Sequence, residues 1–103
     1  MLKQIFHGFI RMHILFHASR ENIYGMEIIE ELRRHGYKAG PGTVYPILHQ
    51  MEKEGYLESR RENVGGKMRV YYGITPGGRE ALAEGRIMLK ELVHEVLGEE
   101  GNK

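Results

Sequence analysis

Residues 41–55 place the tightest local constraint on this 103-residue chain, because they write both ends of a short helix into the sequence. Pro41 suits the first helical position, where its missing N–H would have no partner in any case. Gly55 suits the residue just past the end, where a left-handed backbone is wanted. Between them Val44, Ile47, Leu48 and Met51 recur at helical spacing and define a buried face. Tyr45, Pro46, His49 and Lys53 are expected on the opposite face. An aromatic hydroxyl, a proline and a histidine are not the Glu/Lys mixture of an ordinary solvated helix. An outer face that can stack and hydrogen-bond is what a nucleic-acid-reading helix requires.

Around this helix the chain reads as one modest domain, with 41% hydrophobic and 28% charged residues. There are no cysteines, which excludes disulfides and thiolate metal sites. No apolar run approaches the roughly 20 residues needed to span a bilayer. The first ten residues lack a sustained apolar run and a cleavage site, so a cytoplasmic protein is expected, with no membrane partner. The formal net charge is only +1, but it is unevenly distributed. Residues 33–75 hold eight Lys/Arg against four Glu, a net of +4, and the remainder has seven against ten, a net of −3. Positive charge is thus concentrated around the central helix, where it can meet phosphates.

Residues 2–18 read as a first helix, with Leu2, Ile5, Phe6, Phe9, Ile10, Ile14, Leu15 and Phe16 at intervals of three and four and Met12 widening the arc. So wide an apolar arc needs a second cover, and in a chain this short a second subunit is expected to supply it. Ser19–Asn22 reads as a loop. A second helix runs from about Tyr24 to His35 and ends at Gly36. Ile28, Ile29 and Leu32 face inward, Glu30 pairs with Arg34, and Gly25 admits the close approach of another backbone. The short link 37–40 then forces a sharp turn into the central helix, the helix-turn-helix arrangement.

After Gly55 the period changes to alternation. Leu57–Glu62 and Met68–Ile74 read as two strands, with Met68, Val70, Tyr72 and Ile74 on one face and Asn63–Lys67 closing the hairpin. Arg60, Arg61, Lys67 and Arg69 make it a basic wing. Thr75 caps a last helix begun by Pro76. In that helix Leu82, Leu89 and Val96 fall seven apart, Met88, Leu92, Val93 and Leu97 widen the stripe, and Gly85 leaves a notch for another helix. It has little of its own domain to pack against, so a coiled-coil-like contact with its twin is expected.

The fold class read from these signals is mainly α with a small β-hairpin. A winged helix-turn-helix (three helices plus a two-stranded wing) spans residues 1–75, with 2–18 also contributing to a dimer interface. A dimerisation helix spans 76–97 and a flexible tail follows at 98–103. DNA contacts are expected from Thr43, Tyr45, Pro46, His49, Gln50 and Lys53, and from Arg60, Arg61, Lys67 and Arg69 in the wing. Dimer contacts are expected from Phe6, Phe9, Leu82, Gly85, Met88, Leu89, Leu92 and Val96.

Tyr24-Gly25-Met26-Glu27-Ile28, Glu54-Gly55-Tyr56-Leu57 and Tyr71-Tyr72-Gly73-Ile74-Thr75 accompany the block Pro41-Gly42-Thr43-Val44-Tyr45-Pro46-Ile47-Leu48-His49. With these motifs the chain resembles, over residues 2–97, the PadR-like winged helix-turn-helix transcriptional regulators. That resemblance implies a homodimeric DNA-binding repressor, often one controlling a detoxification or transport operon and released by a small hydrophobic effector. Two positions depart from the family pattern. Gly40 stands where a serine-like cap is usual, and Gly73 stands where the wing often carries a basic residue. There is no Trp on which to build an effector platform.

Other readings compete. A winged helix can serve protein interaction without touching DNA. A dimeric ligand or metal sensor would use Phe6, Phe9, Met12 and Met88 as lining, residues that serve a core equally well. His13 and His17, four apart, have metal-holding spacing. No third ligand with motif spacing accompanies them, so no metal and no cofactor is expected. No nucleotide loop, cysteine nucleophile or paired-carboxylate motif points to an enzyme.

Overall fold

In a computed structural model, which describes residues 1–98, four helices surround a small antiparallel sheet. Helix α1 spans Leu2–Arg20, strand β1 Ile23–Tyr24, α2 Gly25–Arg34, α3 Pro41–Lys53, β2 Leu57–Val64, β3 Lys67–Ile74 and α4 Pro76–Val96. Of the tail expected at 98–103, residues 99–103 lie outside the described residues. The sheet has three strands in the order β1-β3-β2, not the two expected. The segment read as a loop ends α1 two residues later than predicted, and Ile23 and Tyr24 then pair with Tyr72 and Tyr71. Two residues are too few to show an alternating pattern, which is why this strand left no sequence signal.

The core lies where α1, α2 and α3 meet over the inner end of the sheet. Ile10, Ile14, Ile28, Ile29, Leu32, Val44 and Leu48 are fully buried, with Met51, Leu57 and Tyr72 close to it. The local end signals act as expected. Gly36 and Gly55 both take φ of +87°, directly after α2 and α3. At each, the following tyrosine N–H returns to the helix, Tyr37 to the Leu32 carbonyl at 2.9 Å and Tyr56 to that of Met51 at 3.0 Å. Thr75 caps α4 by accepting from the Gly78 N–H at 3.0 Å. The start of α2 is closed by Glu27, whose carboxylate accepts from the Tyr24 N–H at 3.0 Å.

Three contacts differ from expectation. Arg34 pairs with Glu31 at 2.9 Å, one residue nearer than Glu30. Gly25 faces the Tyr45 side chain and not a second backbone: a Cβ placed there would fall 2.6 Å from the Tyr45 hydroxyl. Helix α4, expected to find little of its own domain to rest on, lays its first half along α1. A Cβ at Gly85 would sit 2.6 Å from Met12 Sδ, and Ala81 and Leu82 pack against the core. The second half of α4 is uncovered, with Ile87, Met88, Leu92, Val93, Val96 and Leu97 each more than half exposed. No helix among the described residues is long and apolar enough to cross a membrane.

Candidate nucleic-acid interface

Burying Val44, Ile47, Leu48 and Met51 turns the rest of α3 outward. Pro41, Gly42, Pro46, His49, Gln50 and Lys53 are exposed, Thr43 is half-buried, and these residues form one continuous strip along the helix. Gly40 leads into α3 without a side-chain cap, and no acidic residue occupies the first turn. The positive end of the helix dipole is therefore left free to face an anion. Pro46 supplies no N–H to the carbonyl of Gly42 one turn earlier, which leaves an acceptor on the same strip.

Tyr45 is not on the fully outward face expected of it. It is half-buried, packed against the core, and its ring lies over Gly25 at the start of α2. The glycine is what lets α2 and α3 close to this distance at the turn between them. Gln50 is outward, but its amide donates to Glu54 Oε2 at 3.3 Å. The other oxygen of Glu54 is held by Arg11 of α1 at 3.0 Å, so the C-terminal end of α3 is pinned to α1.

The wing is a full hairpin in which Val64 pairs with Lys67 across the two-residue turn Gly65-Gly66. Both glycines have positive φ, +58° and +84°, which matches the right-handed twist of the strands. Asn63 Oδ1 accepts from the Gly66 N–H at 3.1 Å and closes the tip. The pairing register divides the four basic residues between two faces. Arg61 shares a face with Ser59, Val70 and the buried Tyr72, whereas Arg60, Lys67, Arg69 and Tyr71 share the other with Glu62. Of the apolar set expected on one face, only Tyr72 is buried and Ile74 partly so; Met68 and Val70 extend past the core into solvent.

Within this face Arg60 reaches Glu62 at 3.2 Å. Arg69 lies over the Tyr24 ring at 4.5 Å, and Tyr24 meets Tyr71 edge-on at 5.5 Å. A hydrogen bond with Tyr71, and Tyr24 beside it, raise the Arg69 guanidinium above its ordinary range, so it stays charged. This Tyr24–Tyr71–Arg69 stack was not foreseen, because it depends on the third strand. Gly73, read as a missing basic residue, has a packing reason: a Cβ there would fall 2.6 Å from Asn22 Oδ1.

Helix and wing are fastened to each other. Glu52 of α3 accepts from the N–H and hydroxyl of Ser59 in β2, at 3.2 and 2.5 Å. Thr75, leaving β3, donates its hydroxyl to the Gly55 carbonyl at 2.6 Å and its N–H to that of Tyr56 at 3.1 Å. The exposed strip and the basic hairpin therefore form one surface of fixed geometry. Beside it, α1 and α4 enclose an open apolar groove of about 780 Å³ lined by Ile5, Phe9, Met12, Gly85, Met88 and Leu92.

Residues 14–84 match the family model described as the transcriptional regulator PadR-like family. The chain is 48% identical over 89 residues to the transcriptional regulator Rv3488 of Mycobacterium tuberculosis, covering 86% of this chain and 83% of that protein. It is 34% identical over 83 residues to the transcriptional regulator YqjI of Escherichia coli, covering 78% of this chain and 39% of that longer protein. Among solved structures, a PadR-like transcription factor from Bacteroides fragilis superposes with a TM-score of 0.81 at 27% identity, covering 93% and 94% of the two chains. A PadR-like regulator from Bacillus cereus gives 0.78 at 33% identity, covering 91% and 96%.

Proposed function

Because the chain belongs to the PadR-like family of transcriptional regulators, and is a regulator and not an enzyme, we propose that it is a homodimeric repressor. It reads a pseudo-palindromic operator with residues 41–54 of α3 and grips flanking phosphates with the wing. The observation carrying this reading is the outward strip of Thr43, Pro46, His49, Gln50 and Lys53 on a helix fastened to a hairpin bearing Arg60, Arg61, Lys67 and Arg69. His49 and Lys53 reach base edges and phosphates in the major groove. Tyr45 sets the angle of the helix through its seat on Gly25 and offers its hydroxyl edge to the backbone. Gln50 can read adenine once its bond to Glu54 is exchanged.

The uncovered half of α4 and the exposed Leu2, Ile5 and Phe9 of α1 support the dimer. Two α3 helices about 34 Å apart would enter successive major grooves, and occupation of the promoter would block transcription. A small hydrophobic effector fits the α1–α4 groove. To act there it must bind the DNA-competent and released spacings unequally.

Selection from a random DNA pool followed by gel shifts tests the reading. A preferred two-fold-related site is expected, with affinity falling as salt rises. Lys67→Ala should weaken binding nearly equally on all sequences and lower the salt slope by about 1, whereas His49→Ala should relax preference at one position in each half-site. Protein that selects no sequence and shows no salt-dependent binding would instead support a protein-interaction role.

A further inference from the structure

Three histidines that take no part in the α3–wing surface meet between α1 and the end of α2. His13 and His17 stand one turn apart on α1, and His35 is the residue that closes α2. The His13 ring stacks on His35 at 5.0 Å and lies parallel to His17 at 6.3 Å. One ring nitrogen from each of the three lies within 4.8 Å of the other two. The nearest carboxylate is Glu31, whose Oε2 is 3.8 Å from His17 Nε2 and 3.9 Å from His35 Nε2. Those separations are too long for hydrogen bonds. Tyr37 closes the cluster, meeting the His13 ring edge-on at 5.2 Å. Burial, and then the neighbouring His35 and His17, hold His13 below the ordinary imidazole range.

We infer that His13, His17 and His35 form a binding site for a divalent first-row transition-metal ion such as zinc, with Glu31 as the adjoining carboxylate. Imidazole suits such ions, and in a chain without cysteine it is the softest strong ligand present. Nitrogens bound tetrahedrally at 2.0–2.1 Å stand about 3.4 Å apart, so a set within 4.8 Å must close by about 1.4 Å at most. Side-chain torsions can supply this, since the His35 side chain is 51% exposed and His17 lies at the rim. Three protein nitrogens leave a fourth position for water or for Glu31, which also contributes negative charge against the dication. The spacing of His13 and His17 supplies only two ligands. The third comes from the packing of α2 on α1, which places His35 over His13. A bound ion would clamp α1 to the turn that leads into α3.

The assignment stands independently of DNA reading. It is tested on the full chain by titrating zinc against a chromogenic chelator and by the visible absorption of the cobalt(II) form. One ion per chain is expected. His35→Ala should weaken binding by at least about 10-fold. His7→Ala and His94→Ala should leave it unchanged. His35 is an exposed capping residue, so its replacement keeps the helical circular dichroism, and zinc should raise the melting temperature of the native chain but not of this variant. His13→Ala should behave in the same way as His35→Ala. No stoichiometric binding by the native chain, or native-like binding by His35→Ala, would overturn the site. Gel shifts on zinc-free protein report DNA binding separately, so failure of one reading leaves the other intact.

Discussion

Gly25 shows how a single missing Cβ can set the geometry of a reading helix. The Tyr45 ring occupies the space an alanine methyl would need, and that ring is half-buried against the core. Gly25→Ala should therefore lower stability to urea by about 1–3 kcal/mol, the usual range for overpacking. In a Tyr45→Ala background the same change should be nearly neutral, so the double-mutant cycle isolates the contact. Gly42 offers the contrast. It lies on the exposed strip with open space around it, so Gly42→Ala should leave stability within about 0.5 kcal/mol or raise it slightly. A fall in operator affinity for the same protein would mean that DNA comes close to the backbone there. At this scale, local chemistry was legible and distant chemistry was not. Pro41, Gly55 and, in its capping of α4, Thr75 act on residues within one turn, and those roles followed from their positions in the chain. Gly25, Gly73 and Gly78 are small because of Tyr45, Asn22 and the Tyr56 carbonyl, which are brought to them by folding.

Helix α3 and the wing were both readable from their periods, but their attachment was not. The attachment runs through Glu52, a residue that looks like ordinary helix solubility until Ser59 is seen to donate to it twice. Thr75, expected only to cap α4, also fastens the far end of the wing to the turn after α3. The division of basic residues between two wing faces required the register, which hairpin closure at Gly65-Gly66 sets. Removing the carboxylate should loosen the wing and spare the core, because the hydrogen bonds lie at its exposed base. Glu52→Ala should reduce stability by about 1 kcal/mol. It should also speed amide exchange in residues 58–64 well ahead of the core helices, a local opening and not a global one. Equal acceleration throughout the chain would mean that Glu52 supports the whole fold.

At the scale of the molecule, the helical end of the chain is incompletely covered. One face of the first half of α4 is partly buried against α1, which accounts for Leu82 and Gly85 within the protomer. The second half leaves Met88, Leu92 and Val96 at 70%, 52% and 55% exposure. The heptad-like spacing signalled that α4 needed a cover but did not say how much of it α1 would provide. The proposed dimer assigns the remainder to a second copy. Replacing both Met88 and Leu92 with Glu should therefore give a monomer in sedimentation at micromolar concentration. Those side chains make little of the protomer's core, so helical circular dichroism should be retained. Two tethered α3 helices raise each other's effective concentration at the second half-site, a gain on the order of 10² to 10⁴ in avidity. The monomeric variant should lose affinity for the full operator by a large factor within that range while binding an isolated half-site as the native chain does. A native chain that sediments as a monomer, or a variant that holds the full operator undiminished, would leave the exposed half of α4 to some other role.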